Sequence, residues 1–183
     1  MVSGFALAMA VRELHAGGII AYPTEGVFGI GCLPSRPDAV ERVLELKARD
    51  RAKGLILIAS HESQVEGWAD IDSGLALAGT DARPVTWIVP AGRLSYPALT
   101  GGRTTIAIRI TTHPVAGRLA RLAGEPLVST SANLSGRAPV RNRFVLRRHF
   151  GEKLDAIVPG SIGPAHGPSE IRDLATGRVL RPS

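Results

Sequence analysis

Short apolar runs alternate with amphipathic segments along this chain, and that alternation constrains the fold more than any other feature of the sequence. The continuous apolar run from Leu55 to Ala59 is typical of a strand that is buried on both faces of a sheet. Residues 37–48 carry apolar side chains at helical spacing among charged ones. The alternation therefore predicts an α/β domain.

The predicted elements follow one another without an obvious linker. Helices are predicted at 3–16, 37–48, 61–68, 73–79, 113–123 and 142–150. Strands are predicted at 19–22, 27–31, 55–59, 85–89, 105–110, 127–129, 156–158, 170–174 and 178–180, with a Gly/Pro-rich loop at 91–103. The last two strands flank Ala-Thr-Gly, which favours a hairpin and hence a mixed sheet. Because no repeat or linker divides the chain, we expect a single domain over residues 1–183.

The charge balance favours an anionic partner. The chain of 183 residues has 22 Lys+Arg against 16 Asp+Glu, which gives a net charge of +6 and a pI near 10.4. Such an excess is typical of proteins that bind a nucleotide or RNA. Only Lys47, Lys53 and Lys153 are lysines. A GC-rich genome explains that arginine excess, but a retained lysine can also mark a position that needs a compact ammonium group.

Several well-known catalytic signatures are absent from the sequence. It has no phosphate-binding G-x-x-x-x-G-K-[ST] motif, no dinucleotide fingerprint, no G-x-S-x-G elbow and no histidine pair spaced for a metal. The single cysteine, Cys32, excludes a disulfide framework and a cysteine-based zinc site. Because the sequence shows no secretory signal or membrane-spanning run, we expect a cytoplasmic protein.

Four segments contain more polar residues and glycine than a core requires: 21–32, 46–54, 126–136 and 163–173. Each has an ordinary structural interpretation, respectively a tight turn, a solvated charged face, a Ser/Asn turn and a hairpin edge. Each also suits ligand binding, because hydroxyl, amide and basic groups that follow buried strands can bind phosphate or carboxylate oxygens.

Arg109 lies at the end of the predicted strand 105–110, alternating with isoleucines. It is either paired structurally or available to a carboxylate or phosphate. His113, which precedes Pro114, is interpreted as the start of a helix rather than as a base.

Together these segments resemble the YrdC/TsaC family, the threonylcarbamoyl-AMP synthases. The resemblance covers nearly the whole chain and rests on six motifs in the family's order. They are A-Y-P-T-E-x-x-F-G-I-G-C, L-K-x-R-x-x-x-K-G-L-I-L, P-V-T, I-A-I-R-I-T-x-H-P, P-L-V-S-T-S-A-N-L-S-G and P-S-E-I-R-D. The resemblance implies the single-domain bacterial form of a YrdC-like fold, with a twisted mixed β-sheet and flanking helices around a basic concave cleft.

The resemblance also implies a reaction. L-threonine, bicarbonate and ATP would condense to threonylcarbamoyl-adenylate and pyrophosphate, and other proteins would transfer the group to the adenosine beside the anticodon in tRNAs that read ANN codons. The substrates supply the nucleophile, so no catalytic Ser, Cys or His is required. This accounts for the missing motifs, since such transfer depends on positioning and charge neutralisation.

The family's K-x-R and S-x-N elements map to a catalytic tetrad of Lys47, Arg49, Ser131 and Asn133. The resemblance implies that ATP is bound by this tetrad together with Lys53, Arg141 and Arg172. It implies a threonine site made of Thr24, Arg109, Ser129 and Ser169, with Arg109 taking the carboxylate. Mg²⁺ is expected to accompany ATP on its phosphates, and no metal site made by the protein is expected.

Three positions depart from the family pattern: Gly26 stands where Thr or Ala is common, Asp50 where Pro is common, and Arg83 precedes Pro84 in place of Pro-Gly. Two other functions stay open. One is a non-catalytic RNA-binding module, to which the arginines at 137, 141, 143, 147 and 148 point. The other is a carbamoyl transferase domain of the kind found in a larger hydrogenase-maturation protein.

Overall fold

The computed structural model describes residues 2–71, 84–133, 138–165 and 169–182. Its strands are β1 Ile20–Pro23, β2 Phe28–Gly31, β3 Ile56–Ala59, β4 Val85–Pro90, β5 Thr105–Ile110, β6 Leu127–Ser131, β7 Ala156–Ile157, β8 Glu170–Asp173 and β9 Val179–Arg181. Its α-helices are α1 Gly4–His15, α2 Pro37–Leu46, α3 Pro97–Thr100, α4 Pro114–Ala123 and α5 Arg143–Phe150. Short 3-10 turns occupy Arg51–Lys53, Glu62–Val65 and Gly151–Lys153.

The strands of the described residues form one mixed sheet in the order β7-β1-β2-β6-β3-β5-β4-β8-β9. The pairs β1–β7, β3–β5 and β4–β8 are parallel, and the remaining neighbours are antiparallel. The predicted mixed sheet and the predicted terminal hairpin are therefore confirmed. The order places β6 between β2 and β3, and so brings residues distant in the sequence to the middle of the sheet.

The helices begin and end where short-range chemistry favours it. Ser3 caps α1, its Oγ accepting a hydrogen bond from the Ala6 N–H at 3.2 Å. The Asn142 Oδ1 accepts from the Phe144 N–H at 2.8 Å at the start of α5. Gly124 ends α4 with a φ of 79°, a left-handed conformation that glycine adopts without strain.

Helices pack on both faces of the sheet. On one face, Leu14 of α1 and Leu119 of α4 pack against Ile20 and Ile58. On the other face, Val43 of α2 and Leu146 of α5 belong to a larger core with Leu57, Ile108 and Val128. Burial of each such aliphatic side chain stabilises the fold by roughly 1.5–3 kcal/mol.

The face that carries α1 and α4 is only partly covered. Ile56 on β3 belongs to that face, and Ala107 and Ile88, which follow it across the sheet in register, are only half-buried. This uncovered half of the sheet face is where the candidate site lies.

Most predicted elements are confirmed, and three differ. A single turn of helix, α3, lies inside the segment predicted as loop, and β6 continues two residues beyond the predicted strand to Ser131. The predicted helix at 61–68 is reduced to the 3-10 turn Glu62–Val65. The helix predicted at 73–79 lies outside the described residues. Within the described ranges, no helix is long and apolar enough to cross a membrane.

Candidate active site

A polar cavity of about 130 Å³ opens on the uncovered half of the sheet face, beside β2, β3, β5 and β6. It brings together residues that the sequence predicted from separate segments, namely Thr24, Arg49, Arg109, Ser129, Ser131 and Ser169. The register explains part of this convergence, because Ser129 on β6 pairs with Ile56 on β3, which pairs with Ala107, two residues before Arg109 on β5.

Arg109 is the deepest cation of the cavity, with 12% of its side chain exposed. Its Nη2 donates to Ser169 Oγ at 2.7 Å and its Nε donates to Thr86 Oγ1 at 3.2 Å. Its Nη1 lies 3.5 Å from Glu25 Oε2. A guanidinium group has five N–H donors. Because these contacts engage three of its nitrogens once each, two N–H groups stay available within the described part of the chain.

Glu25 holds this arginine in place. Its Oε1 also accepts a hydrogen bond from the Thr111 hydroxyl group. Burial by itself raises the pKa of the Glu25 carboxyl group, but the Arg109 charge and the Thr111 hydroxyl outweigh burial and leave that pKa below its usual value. Glu25 is therefore ionised at neutral pH and compensates the buried charge of Arg109.

His113 belongs to the same hydrogen-bond network as Glu25, and its role there is structural. Burial lowers the pKa of its imidazole, which is therefore neutral at pH 7. Its Nδ1 accepts from the Val115 N–H at 3.3 Å and caps α4, which leaves Nε2–H to donate to the Ser161 carbonyl at 3.1 Å. These contacts agree with its interpretation as the start of a helix.

Arg49 and Arg181 form a second cationic group on the wall of the cavity. Arg49 Nε donates to the Gly54 carbonyl at 3.0 Å, and Arg181 Nη2 donates to the Ser169 carbonyl at 2.8 Å. Burial lowers the pKa of both guanidinium groups, and the charge of Arg181 lowers that of Arg49 further. Among the described residues no carboxylate lies within 4 Å of either one. A bound anion would therefore relieve their repulsion.

Lys47 follows the last residue of α2 and is buried, with 3% of its surface exposed. Its Nζ donates to the backbone carbonyls of Ser131 and Asn133 and to Asn133 Oδ1, the last at 2.9 Å. Burial and the nearby Arg49 charge lower the pKa of this ammonium group to about 8. The four residues of the predicted tetrad are thus neighbours, with Arg49 and Ser131 on the cavity wall.

Gly29 keeps the floor of the cavity open. A Cβ atom at this position would lie 3.2 Å from Ser129 Oγ and 3.2 Å from Thr24 Cγ2, both tighter than ordinary van der Waals contact. Below it the buried Tyr22 donates its hydroxyl hydrogen to the Val128 carbonyl at 3.3 Å. The glycine in the first motif therefore brings the polar groups of Thr24 and Ser129 to one surface.

A wider groove of about 640 Å³ continues from the cavity along the uncovered sheet face and shares Arg49, Ile56 and Arg181 with it. The floor of this groove is apolar and includes Ile56, Ile88, Ala107, Ile171 and Leu180. Lys53 and Arg103 lie on its wall, and Arg103 also binds the backbone carbonyls of Ala52 and Lys53.

Two predicted ATP ligands lie away from the main cavity. Arg141 lines a second cavity of about 620 Å³, which it shares with Asn133 and the α5 residues Arg148 and His149. Arg172 is half-exposed on β8 and donates to Glu170. Because side chains alternate along a strand, Arg172 points to the face opposite Ile171 of the groove floor. The structure does not bring it to the site.

The three sequence departures have different outcomes. The Asp50 carboxylate accepts from the Ala52 N–H at 3.0 Å and so caps the 3-10 turn that follows Arg49. Gly26 lets the segment 163–165 approach, since a Cβ there would lie 2.7 Å from the Ala165 carbonyl oxygen. Arg83 lies outside the described residues.

Sequence reasoning did not assign three residues that the structure places in the site: Glu25, Thr86 and Arg181. Glu25 stands in the first motif, next to Thr24. Thr86 stands in the P-V-T motif, and alternation on β4 could have placed it beside Arg109. Arg181 gives no such signal, because its position depends on the hairpin register that sets it opposite Ile171.

The chain is similar in sequence to a known protein family over most of its length. The Sua5/YciO/YrdC family model, described as telomere recombination, matches residues 12–183. A curated protein of Nitrosococcus oceani named threonylcarbamoyl-AMP synthase is 48% identical over 176 residues, which cover 94% of this chain and 95% of that protein.

Solved structures show the same fold. The crystal structure of P. abyssi Sua5 complexed with L-threonine matches with a TM-score of 0.87 and 26% identity, over 96% of this chain and 52% of that one. The chain therefore spans about half the length of that protein. The crystal structure of E. coli YciO matches with a TM-score of 0.85 over 98% of this chain and 90% of that one, and at 24% identity it shows the fold alone.

Proposed function

The chain belongs to the Sua5/YciO/YrdC family, and from this membership and the geometry of its cavity we propose that it is a threonylcarbamoyl-AMP synthase. One observation carries the proposal. Arg109, with 12% of its side chain exposed and two N–H donors that the described residues leave unused, shares its cavity with Arg49 and Arg181, which have no carboxylate partner among those residues. Such a cavity suits a carboxylate and a polyphosphate side by side.

The proposed reaction has two bond-forming steps. The amine of L-threonine and bicarbonate give a carbamate with loss of water. A carbamate oxygen then attacks the α-phosphorus of ATP, the bond from that phosphorus to the bridging oxygen breaks, and pyrophosphate leaves. No protein nucleophile is needed, and the protein contributes by holding the reactants and neutralising charge.

Threonine is assigned to the smaller cavity. We place its carboxylate on the two remaining N–H groups of Arg109 and its polar groups beside Thr24, Ser129 and Ser169. The similarity to a structure complexed with L-threonine supports this assignment. Bicarbonate is proposed to react in this cavity, on the side where Arg49 lies.

ATP is assigned to the groove. Its apolar floor suits an adenine ring, and Arg49, Lys53 and Arg181 on its wall suit the phosphates. Ser131, on the wall of the adjoining cavity, is proposed to bind the nucleotide or the carbamate. Mg²⁺ is proposed to enter as part of the substrate, bound by phosphate oxygens. The basic concave cleft implied by the family corresponds in this proposal to the cations of the cavity and groove.

The remaining assignments are proposals of the same kind. The product would pass to cytoplasmic proteins that modify tRNA, and residues 1–183 would act as one YrdC-like domain. A direct RNA contact is proposed separately for α5, whose Arg143 and Arg147 are exposed beside Phe144, itself 84% exposed. The non-catalytic alternative is not favoured, since the relatives are named as synthases.

The deciding experiment measures pyrophosphate release from ATP with threonine and bicarbonate added or omitted. We expect release to require both. Equal release without threonine would contradict the proposed function.

In the same assay Arg109→Lys should raise the KM for threonine by about tenfold to a hundredfold, because an ammonium group cannot replace the fork of N–H donors. Arg118→Lys, an exposed substitution on α4, serves as the matched control.

A further inference from the structure

Lys47 is the buried cation of the site whose donors are all engaged by the protein itself. An ammonium group has three N–H donors. The Nζ of Lys47 has three acceptors, the backbone carbonyls of Ser131 and Asn133 and the side-chain Oδ1 of Asn133. All three acceptors belong to the turn at 131–133, so this one side chain ties both ends of the turn to the end of α2.

This turn separates two cavities. Ser131 is on the wall of the main cavity, whereas Asn133 is on the wall of the second one. Lys47 is on the wall of neither, nor of the groove, among the described residues. The ammonium group thus lies behind the turn, and Arg49, two residues further on, faces the ligand space.

A phosphate ligand would need Lys47 to give up these bonds. Each exchange would break a hydrogen bond between this buried charged group and the turn, and hydrogen bonds to charged groups contribute more to stability than neutral ones do. Arg49 and Lys53 face no such cost, because both reach the groove wall as they stand. Backbone hydrogen bonds also hold the turn: the Asn133 N–H donates to the Ser131 carbonyl at 2.9 Å, the Ala132 N–H to the Phe28 carbonyl at 2.8 Å, and the Val140 N–H to the Ala132 carbonyl at 2.9 Å.

We propose that Lys47 is a positioning residue, which fixes the 131–133 turn so that Ser131 and Asn133 are held at the reacting groups, and that it does not bind the ATP phosphates. The inference rests on the proposed function and refines the sequence-based expectation that Lys47 binds ATP. A displaced turn would impair the chemical step, whereas the affinity for ATP would depend on Arg49, Lys53 and Arg181.

The test compares two lysines of the same segment, Lys47→Met and Lys53→Met, in the pyrophosphate assay. We expect Lys47→Met to lower kcat about a hundredfold, as a misplaced reacting group does, with the KM for ATP changed less than about threefold. Lys53→Met should instead raise the KM for ATP by about fivefold with kcat nearly unchanged, since it removes one exposed charge. A tenfold or larger rise of the ATP KM in Lys47→Met, with kcat preserved, would overturn the proposal.

Amide hydrogen exchange gives a readout that does not depend on turnover. Lys47→Met should speed exchange of the Ala132 and Val140 amides about tenfold or more, and Lys53→Met should leave both unchanged. Unchanged exchange in Lys47→Met would contradict the anchoring. This measurement still tests the inference if the intact protein shows no threonine-dependent activity, a result that would refute the proposed function alone.

A measurement on the unmodified protein covers the case in which Lys47→Met does not fold. At pH 8.5 calorimetry of ATP binding in buffers of different ionisation enthalpy reports proton uptake. A phosphate bound to Lys47 would raise the pKa of that ammonium group from its present value of about 8, and the protein would take up a large fraction of one proton. Phosphates on Arg49 also relieve the charge that lowers the Lys47 pKa, so we expect an uptake of less than about half a proton, and a larger uptake would overturn the proposal.

Discussion

Arg109 and Arg49 are arginines of the same cavity, but the fold compensates their charges differently. Arg109 has Glu25 at 3.5 Å and hydroxyl partners from two other strands or loops, so its guanidinium group is held before any ligand arrives. Within the described part of the chain, Arg49 donates only to the Gly54 carbonyl, and Arg181 repels it. The first therefore suits recognition of a substrate carboxylate, and the second suits charge that arrives with ATP.

The Glu25–Arg109 pair predicts that the stability of the fold depends on pH. Because the pKa of Glu25 lies below its ordinary value in the folded protein, its ionisation stabilises the fold above about pH 4.5, and this contribution is lost as the pH falls through the folded pKa. Glu25→Gln should therefore lower the free energy of unfolding by about 1–3 kcal/mol at pH 7, and the difference from the unmodified protein should shrink in acid.

Urea unfolding between pH 3 and pH 7 measures this difference. Glu66→Gln, an exposed carboxylate, is the control and should follow the unmodified protein throughout. A constant difference between Glu25→Gln and the unmodified protein across this range would show that the charge of Glu25 contributes nothing.

Among the elements, the turn after β1 lines the cavity, and the segment that precedes β8 packs against this turn. The Gly163 N–H donates to the Thr24 carbonyl at 2.9 Å and the Ala165 N–H donates to the Glu25 carbonyl at 2.9 Å. The backbone of the two elements approaches so closely that neither Gly26 nor Gly163 has room for a Cβ. The glycine at position 26 is therefore a packing feature of this chain.

Gly26→Ala tests this close approach. Its Cβ would lie 2.7 Å from a backbone oxygen, so the segment must shift, and we expect a loss of about 1–3 kcal/mol in stability and a raised KM for threonine. Gly4→Ala in α1, where a Cβ meets nothing within 4 Å, should be neutral or slightly stabilising. Thermal unfolding of both variants tests this prediction, and equal melting temperatures would show that the segment shifts without a loss of stability.

Over the whole molecule, part of the excess of cationic residues is concentrated in two places. Arg49, Arg109 and Arg181 converge on the cavity although they come from distant parts of the chain. The arginines of α5 remain exposed and outside that cavity. The anionic partner inferred from composition is therefore best assigned to ATP in the groove that adjoins the cavity, with α5 left for a separate contact.

This division predicts how ATP changes global stability. ATP at about 100 times its Kd should stabilise the protein by about 2.7 kcal/mol, which corresponds to roughly 5–10 °C in melting temperature for a chain of this size. Adenosine at the same concentration, which lacks the phosphates, should shift the melting temperature much less. Added salt should reduce the effect of ATP, because it screens the phosphate contacts. Equal shifts from ATP and adenosine would contradict a cationic phosphate site.

Much of the architecture was predictable because its causes are local. The capping residues Ser3 and Asn142, the alternation on β5 and the hairpin turn each depend on neighbours within a few residues, and those elements were predicted within one or two residues. The short helix α3 and the extension of β6 were missed because tertiary contacts stabilise them. The candidate site residues were predicted from motifs, whose spacing indicates chemistry but does not give the positions of the side chains in space.

The sequence by itself determined the fold class, the family and the residue types of the site, since periodicity and motif order can be read along one dimension. Only the tertiary structure decided which charges are paired. The insertion of β6 between β2 and β3 places the 131–133 turn over Lys47, and the hairpin register brings Arg181 to Arg49. Charge compensation depends on distances between residues far apart in the chain, and strand order and register set those distances.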